Sequence, residues 1–167
     1  MKTIKILELG MTATVGGVET YLLNQLRCFD TSKIHCDYIN DKNYDKLAYE
    51  DDFIALGAGI VRIQSNFSKN YLAFCKEFKK MLKANDYDVI IANAAVYSWK
   101  QAVELKIARK VGVPVRILHS HASGQKLSMK AHVGRLFERP FCENKGSVLT
   151  QRWACSKDAG RFFFSKQ

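Results

Sequence analysis

The sequence lacks the features that mark membrane-spanning, secreted or disordered proteins. No apolar run approaches the roughly 20 residues that a transmembrane helix requires. The apolar stretch within residues 1–10 is short, is interrupted by Glu8 and has no small-residue cleavage site, so we interpret it as a buried strand and not as a signal peptide. Prolines number only two and hydrophobic residues make up 47% of the chain, which excludes a disordered protein.

The cysteines do not form a pattern that holds a metal or a disulfide framework. Their number is odd, and no two have the CxxC spacing of a zinc site. We therefore expect reduced thiols in a cytosolic protein. The five positions are Cys28, Cys36, Cys75, Cys142 and Cys155.

Acidic residues are scarce relative to basic ones. The chain has 26 Lys and Arg against 16 Asp and Glu, a net charge of +10 with neutral histidines. This excess favours an anionic partner, which could be nucleic acid, a phosphorylated small molecule or an acidic lipid surface. No recognition helix or interleaved aromatic platform accompanies the charge, so nucleic acid is not expected.

Apolar runs with strand spacing alternate with segments that have helical spacing. Strands are predicted at 4–9, 34–40, 59–63, 88–92, 115–119 and 153–155. Helices are predicted at 18–29, 45–56, 70–85, 97–111 and 126–141, and after Ser156 as N-cap. This alternation predicts one α/β domain over residues 1–167, with a Rossmann-like doubly wound parallel sheet. Ligands then bind at the carboxyl ends of the strands, in loops 10–17, 93–98 and 120–124.

Gly16 and Gly17 lie immediately before the first predicted helix. Glycines at a helix start let an anion approach the free backbone N–H groups and the positive end of the helix dipole. The spacing matches neither the GxGxxG fingerprint of dinucleotide-binding proteins nor the GK[ST] of a P-loop. A tight turn that needs positive φ at these glycines is an equally good interpretation.

Five short segments carry a resemblance to a known family. They are GGVETYLLN at 16–24, LGAGIVRI at 56–63, YDVIIA at 87–92, GVPVRILHSH at 112–121 and WACSKDAG at 153–160. In this order they resemble the N-terminal domain of family 4 glycosyltransferases of the capsule and exopolysaccharide type. The resemblance implies half of a two-domain GT-B fold, with the donor-binding C-terminal domain absent from these residues. It also implies a retaining enzyme that moves a sugar from a nucleotide-sugar donor to a polysaccharide or lipid-linked saccharide, with no metal or other cofactor.

The resemblance implies a catalytic role for His119 near the transferring sugar. A neutral imidazole there can donate to a sugar hydroxyl or stabilise charge at the anomeric centre. Ordering of the loop is the alternative role. His119 and His121 could also ligate a metal, but no Asp, Glu or Cys of matching spacing accompanies them.

The resemblance implies donor and acceptor contacts for the other candidates. Gly16 and Gly17 would bind the donor diphosphate through their backbone N–H groups. Asn93, Ser120 and His121 would lie near the acceptor. Asn93 departs from many relatives, which carry histidine there, and it cannot act as a general base. Capping of the following helix is an equally good interpretation of Asn93.

The basic segment 125–141 predicts contact with an anionic membrane surface through Lys126, Lys130, Arg135 and Arg139. A solvated helix face is the alternative interpretation. With membrane contact, the protein would be cytoplasmic and peripheral at the inner face of the cytoplasmic membrane.

Two hypotheses for the function remain open, and a third is disfavoured. The chain is the acceptor-side half of a glycosyltransferase and is inactive alone, or it is a non-catalytic partner subunit or binding module of a split glycosyltransferase. Either reading would use residues 162–164, three consecutive phenylalanines, as an exposed contact surface. A Rossmann-type oxidoreductase is a third class, but its glycine fingerprint is missing.

Overall fold

The computed structural model of the chain describes residues 2–95, 99–121 and 148–164. Within these ranges lie six strands and five helices. The strands are β1 Ile4–Leu9, β2 Ile34–Asn40, β3 Gly59–Arg62, β4 Val89–Ala94, β5 Val115–Ser120 and β6 Gln151–Ala154. The helices are α1 Gly17–Arg27, α2 Glu50–Ala55, α3 Tyr71–Asn85, α4 Trp99–Val111 and α5 Lys157–Phe163.

The six strands form one sheet in which every neighbouring pair is parallel. The strand order is β3-β2-β1-β4-β5-β6, so the chain builds outward from β1 on one side and from β4 on the other. A crevice is expected at the carboxyl ends of β1 and β4, where the order reverses. The predicted Rossmann-like fold class is confirmed.

Alternate side chains along strands β1 to β5 face two separate hydrophobic layers. One layer packs Ile6, Tyr38 and Ile91 of the sheet against α1 and α2. The other packs Leu7 and Ile90 against α3, α4 and α5. Because both faces of the sheet are buried, the inner strands consist of nearly continuous runs of apolar residues in the sequence.

The second helix begins later than the periodicity predicts. Helicity was expected from residue 45, but α2 begins at Glu50. Tyr49 has a left-handed backbone with φ of 58°, which stops a helix from extending towards the N-terminus. The Glu50 carboxylate accepts a hydrogen bond from the Leu47 N–H at 2.9 Å, so a local turn replaces the first helical turn.

Strands β4 and β5 extend beyond their predicted ends, which changes where the candidate residues lie. Asn93 pairs with His119 in the sheet, and Ala94 pairs with Ser120. These residues had been assigned to the ends of the strands or to loops. They are strand residues, and the sheet fixes their backbones against one another.

The expectation of an exposed phenylalanine surface is wrong. Phe163 and Phe164 are only 3% and 9% exposed, and Phe162 packs against the same core cluster. The physical reason is that α5 ends at Phe163 and Phe164 continues in an extended conformation. Phe164 is therefore not held to helical spacing, and it is buried with Phe163 in the chain's own core, while Phe162 is half-buried beside them.

Candidate functional site

A close approach of two backbones forms the floor of the crevice. Gly10 follows β1 with φ of 101°, and a Cβ at this position would lie 2.2 Å from the backbone oxygen of Asn93. Only glycine fits both the backbone angle and the contact. The same Asn93 oxygen accepts a hydrogen bond from the Gln101 side chain at 2.8 Å. The ends of β1 and β4 and the start of α4 therefore meet at one point.

The loop from β1 to α1 is held by a buried acid in the first turn of the helix. The backbone N–H and the hydroxyl of Thr12 both donate to Glu19 Oε1, at 3.0 and 2.9 Å. A carboxylate in this first turn also interacts favourably with the helix dipole. The Thr12 end of the loop is thus fixed to the helix by these hydrogen bonds, whereas Gly16 and Gly17 are exposed.

Gly16 and Gly17 do not form the tight turn with positive φ that was one of the two interpretations of these glycines. Gly16 is extended, with φ of −150°, and Gly17 is the first helical residue. No side chain caps α1 among the residues described. A Cβ on Gly17 would meet nothing within 4 Å in the described part of the chain, so packing does not require glycine there. Binding of the donor diphosphate at this helix start stays a prediction.

Glu8 is a buried carboxyl group in the middle of the sheet, and it is only 1% exposed. Asn93 Nδ2 donates to Glu8 Oε2 at 2.6 Å and to the Leu9 backbone oxygen at 3.1 Å. Glu8 Oε1 has no hydrogen-bond partner among the described residues. Burial raises the pKa of Glu8 to about 8, and the hydrogen bond from Asn93 opposes that rise.

The sequence interpretation missed Glu8, which it used only to argue against a signal peptide. One signal was available, because a single acid inside an otherwise apolar strand is costly to bury without a specific partner.

The two histidines lie together beside the start of α1. The His119 and His121 rings are 4.1 Å apart between centroids, and the Tyr21 ring meets both edge-on at 5.3 and 5.1 Å. Trp153 lies on the neighbouring strand β6, and its ring centroid is 5.9 Å from that of His119. Tyr21 is one helical turn after Gly17, so the histidine pair and the exposed helix start are neighbours.

Both histidines are neutral at pH 7. Burial lowers the pKa of His119, and burial together with the neighbouring His119 lowers the pKa of His121 to about 4. Each ring therefore has one N–H donor and one lone-pair acceptor. His121 Nε2 lies 2.9 Å from Asn93 Oδ1, which connects the pair to Glu8.

Two of the predicted acceptor residues use their side chains within the protein. Ser120 is fully buried, and its hydroxyl donates to the Ala159 backbone oxygen at 2.9 Å, which ties β5 to α5. Asn93 bonds Glu8, Leu9 and His121, as described above. Their contact with an acceptor stays a prediction. His121 is half-buried at the rim of the same cluster.

A second buried polar cluster lies on the other side of Gly10. Lys100 of α4 forms ion pairs with Asp41 and, at 2.7 Å, with Glu104. Glu104 is completely buried, and its Oε2 has no hydrogen-bond partner in the described ranges. Burial raises the pKa of Glu104 well above its usual value, although the Lys100 charge opposes this.

A small cavity of about 180 Å³ lies next to this second cluster. Its lining consists of Gly10, Thr12, Lys42, Asn93, Ala95, Lys100 and Gln101. The cavity thus opens between the two polar clusters, at the reversal point of the strand order.

Some sequence predictions fall outside the described residues. Lys126, Lys130, Arg135 and Arg139 all lie in the range 122–147, which the structure does not describe. Within residues 2–95, 99–121 and 148–164, no three His, Cys, Asp or Glu side chains are grouped to hold a metal ion. In the same ranges, no helix combines the length and apolarity needed to cross a bilayer.

The strand order, the polar crevice at its reversal and the open start of α1 define a Rossmann-like α/β domain with a candidate ligand site where the strand order reverses. Comparison with known families gives the particular assignment. The profile of Glycosyltransferase Family 4 matches residues 15–151. The chain belongs to glycosyltransferase family 4.

One curated relative and one solved structure illustrate these similarities. A Bacillus subtilis (strain 168) protein named "Putative glycosyltransferase EpsF" is 31% identical over 154 residues. The match covers 90% of this chain and 38% of that protein, so the chain spans well under half the length of this relative. The crystal structure of a short-chain dehydrogenase/reductase (wide type) from Veillonella parvula DSM 2008 in complex with NADP matches with a TM-score of 0.48 and 14% identity. That match covers 87% of this chain and 55% of the other.

Proposed function

We propose that the chain is the N-terminal, acceptor-side domain of a retaining glycosyltransferase. The enzyme transfers a sugar from a nucleotide-sugar donor to a polysaccharide or lipid-linked saccharide. Membership of family 4 and the similarity to the EpsF protein support this proposal. The observation that carries it is the neutral pair His119 and His121 beside the uncapped start of α1.

The start of α1 is the proposed contact for the donor diphosphate. The N–H groups of the first helical turn have no partners within a helix, and the dipole adds a partial positive charge there. Because Gly16 and Gly17 have no side chains, phosphate oxygens can reach the backbone directly. No metal is required for this contact.

His119 and His121 are the proposed contacts for sugar hydroxyls. A neutral imidazole can donate with one nitrogen and accept with the other, which suits a hydroxyl group. His119 lies deeper, between Tyr21 and Trp153, and is the proposed residue at the transferring sugar. His121 lies nearer the rim and is the proposed contact for the acceptor. Asn93 and Ser120 lie behind His121 and complete the proposed acceptor side of the site.

The donor's sugar and base require further protein surface, which a second domain or a separate subunit would supply. We expect these 167 residues alone to have no transferase activity. Transfer by the isolated chain would contradict this expectation. Activity only after addition of a separate donor-binding polypeptide would instead identify the chain as the partner subunit of a split enzyme.

Docking on an anionic membrane through Lys126, Lys130, Arg135 and Arg139 is part of the same proposal and rests on the sequence. It predicts binding to phosphatidylglycerol vesicles at low salt and no binding to phosphatidylcholine vesicles. Equal binding to both would contradict it. This docking implies a peripheral location at the cytoplasmic face.

The central test is His119→Ala in the complete protein that contains this chain, assayed with a panel of nucleotide sugars. We expect a loss of kcat of about 100-fold or more, as is typical for removal of a group that stabilises a transition state. The matched control is His35→Ala, which removes a histidine near the amino end of β2, away from the carboxyl ends of the strands where the candidate site lies. Equal activity of both variants would overturn the assignment.

A further inference from the structure

The hydrogen bonds around Asn93 determine which way its amide points. The Leu9 backbone oxygen can only accept, so the atom of Asn93 that faces it at 3.1 Å must be the donor Nδ2. The same nitrogen donates to Glu8 Oε2 at 2.6 Å. Both amide hydrogens are then used, and Oδ1 is the atom that faces His121.

The amide orientation in turn determines the tautomer of His121. Asn93 Oδ1 has only lone pairs, so His121 Nε2 at 2.9 Å must carry the hydrogen of their bond. A neutral ring protonated on Nε2 has its lone pair on Nδ1. Among the described residues, Nδ1 has no hydrogen-bond partner. The acceptor side of the ring is therefore the side left for a ligand.

Among the described residues, no cation compensates the burial of Glu8. The described groups that interact electrostatically with it are Cys36 and Tyr38 on β2 and Tyr21 on α1, and none of these three carries a positive charge. A carboxyl group buried with one amide donor and one unsatisfied oxygen costs stability. Costly buried polar groups of this kind concentrate at functional sites, where they orient other groups.

We propose that Glu8 and Asn93 are positioning residues that hold His121 as its neutral Nε2–H tautomer, so that Nδ1 accepts a hydrogen bond from a saccharide hydroxyl. The tautomer follows from the geometry alone, whereas the identity of the hydroxyl rests on the proposed function. A ring whose pKa is lowered to about 4 accepts a hydrogen bond at Nδ1 but does not take up a second proton at pH 7. His121 therefore orients the hydroxyl and is not a general base.

The tautomer is tested by long-range ¹H–¹⁵N correlation spectra of the chain at pH 7. His121 signals are identified by their loss in His121→Phe. We expect Nδ1 in the chemical-shift range of an unprotonated nitrogen and Nε2 in the range of a protonated one. The Nδ1–H tautomer, or averaged shifts for both nitrogens in the unsubstituted chain, would overturn the proposal without the need for any further variant.

Substitutions then test whether Asn93 and Glu8 cause this state. Asn93→Ala should move both nitrogens towards the averaged shifts of a free imidazole. Asn40→Ala is the matched control, because Asn40 is equally buried at the end of β2 but bonds only the Tyr44 backbone. Glu8→Gln keeps an acceptor for Asn93 and should preserve the tautomer. An unchanged tautomer in Asn93→Ala would contradict the proposed positioning.

Kinetics of the complete protein separate this inference from the proposed function. Asn93→Ala should raise KM for the saccharide acceptor about 10-fold and leave KM for the nucleotide sugar unchanged. The control Asn40→Ala should have the same two KM values as the unsubstituted protein. Equal effects on both KM values would overturn the role of His121 at the hydroxyl. Absence of any sugar transfer by the unsubstituted protein would refute the proposed function, while the spectra would still decide the tautomer.

Discussion

The two buried polar clusters on either side of Gly10 solve the same electrostatic problem differently. Glu8 and Glu104 are both almost completely buried, and each has one oxygen without a partner among the described residues. In the described part of the chain, Glu104 has the ammonium group of Lys100 at 2.7 Å, whereas Glu8 has only the amide of Asn93 as a partner. The cluster of Asp41, Lys100 and Glu104 is an ion-pair link between the end of β2 and α4. The cluster of Glu8 and Asn93 contains a carboxyl group that has no cation among the described residues and is connected to His121.

This difference indicates different roles for the two clusters. An ion pair compensates buried charge within the fold, so the cluster of Asp41, Lys100 and Glu104 is a structural connection across the crevice. A buried carboxyl group without a cation does not stabilise the fold. Its value lies in the order that it imposes on Asn93 and, through Asn93, on His121.

The largest expected effect comes from breaking the compensated cluster. Lys100→Met leaves two buried carboxyl groups without a cation, and we expect the free energy of unfolding to fall by about 3–5 kcal/mol. Urea denaturation measures this change. Lys110→Met, at an exposed position on the same helix, should change stability by less than about 1 kcal/mol. A small effect of Lys100→Met would show that the ion pairs do not connect β2 to α4.

The second largest effect should come from the backbone contact between the clusters. In Gly10→Ala the new Cβ meets the Asn93 backbone oxygen, and the backbone must keep φ of 101°. We expect a loss of about 2–4 kcal/mol in thermal or chemical denaturation, from left-handed strain and displacement of Asn93 together. Unchanged stability would mean that the two strand ends are not held together at Gly10.

The uncompensated cluster should show itself in the pH dependence of stability. The folded-state pKa of Glu8 is raised to about 8 from an unfolded value near 4.5, so the folded state binds the proton more tightly. Stability from this group is complete below pH 4.5 and is lost as the pH rises towards 8. Glu8→Gln should remove this fall, which reaches on the order of 2 kcal/mol by about pH 6.

The comparison of Glu8→Gln with the unsubstituted chain isolates Glu8 from His121. The lowered pKa of His121 makes a contribution of opposite slope, present above pH 6.5 and lost as the pH falls towards 4. This contribution remains in the variant and cancels in the difference. Identical pH profiles for the two proteins would show that folding does not shift the pKa of Glu8.

The smallest effect on stability is expected at the open start of α1. Gly17→Ala introduces a Cβ into free space and should stabilise the helix by up to about 1 kcal/mol. The same methyl group should weaken binding of a nucleoside diphosphate, measured by calorimetry on the complete protein. Unaltered binding would remove Gly17 from the proposed donor contact.

Local signals predicted most of the secondary structure. Ser156 was expected to cap the last helix, and its hydroxyl accepts the Ala159 N–H at 3.0 Å. Two helices were predicted to end at residues 56 and 111, and the glycines that follow, Gly57 and Gly112, both have positive φ. These predictions succeed because caps and stops depend on side chains within a few residues. Residues 45–49 failed because the strained backbone of Tyr49 has no signature in the helical periodicity.

The candidate site was predicted only in part. His119, His121 and Asn93 were singled out separately, and the structure brings them together with Tyr21. Lys100 and Glu104 were not singled out, because their partner Asp41 lies 59 residues from Lys100 in the sequence. Glu8 lies 85 residues from Asn93, and no local pattern relates such positions.

By itself, the sequence determined the class of fold and the family, because hydrophobic periodicity, helix caps and short motifs act over a few residues and can be read directly. The tertiary structure alone decided the strand order, the pairing of Asn93 with His119, and the environment of each buried acid. The physical reason is that hydrogen bonds and ion pairs between strands depend on register and on desolvation. Both quantities exist only after distant segments have packed together, and they distinguish the amide-bound Glu8 from the lysine-bound Glu104.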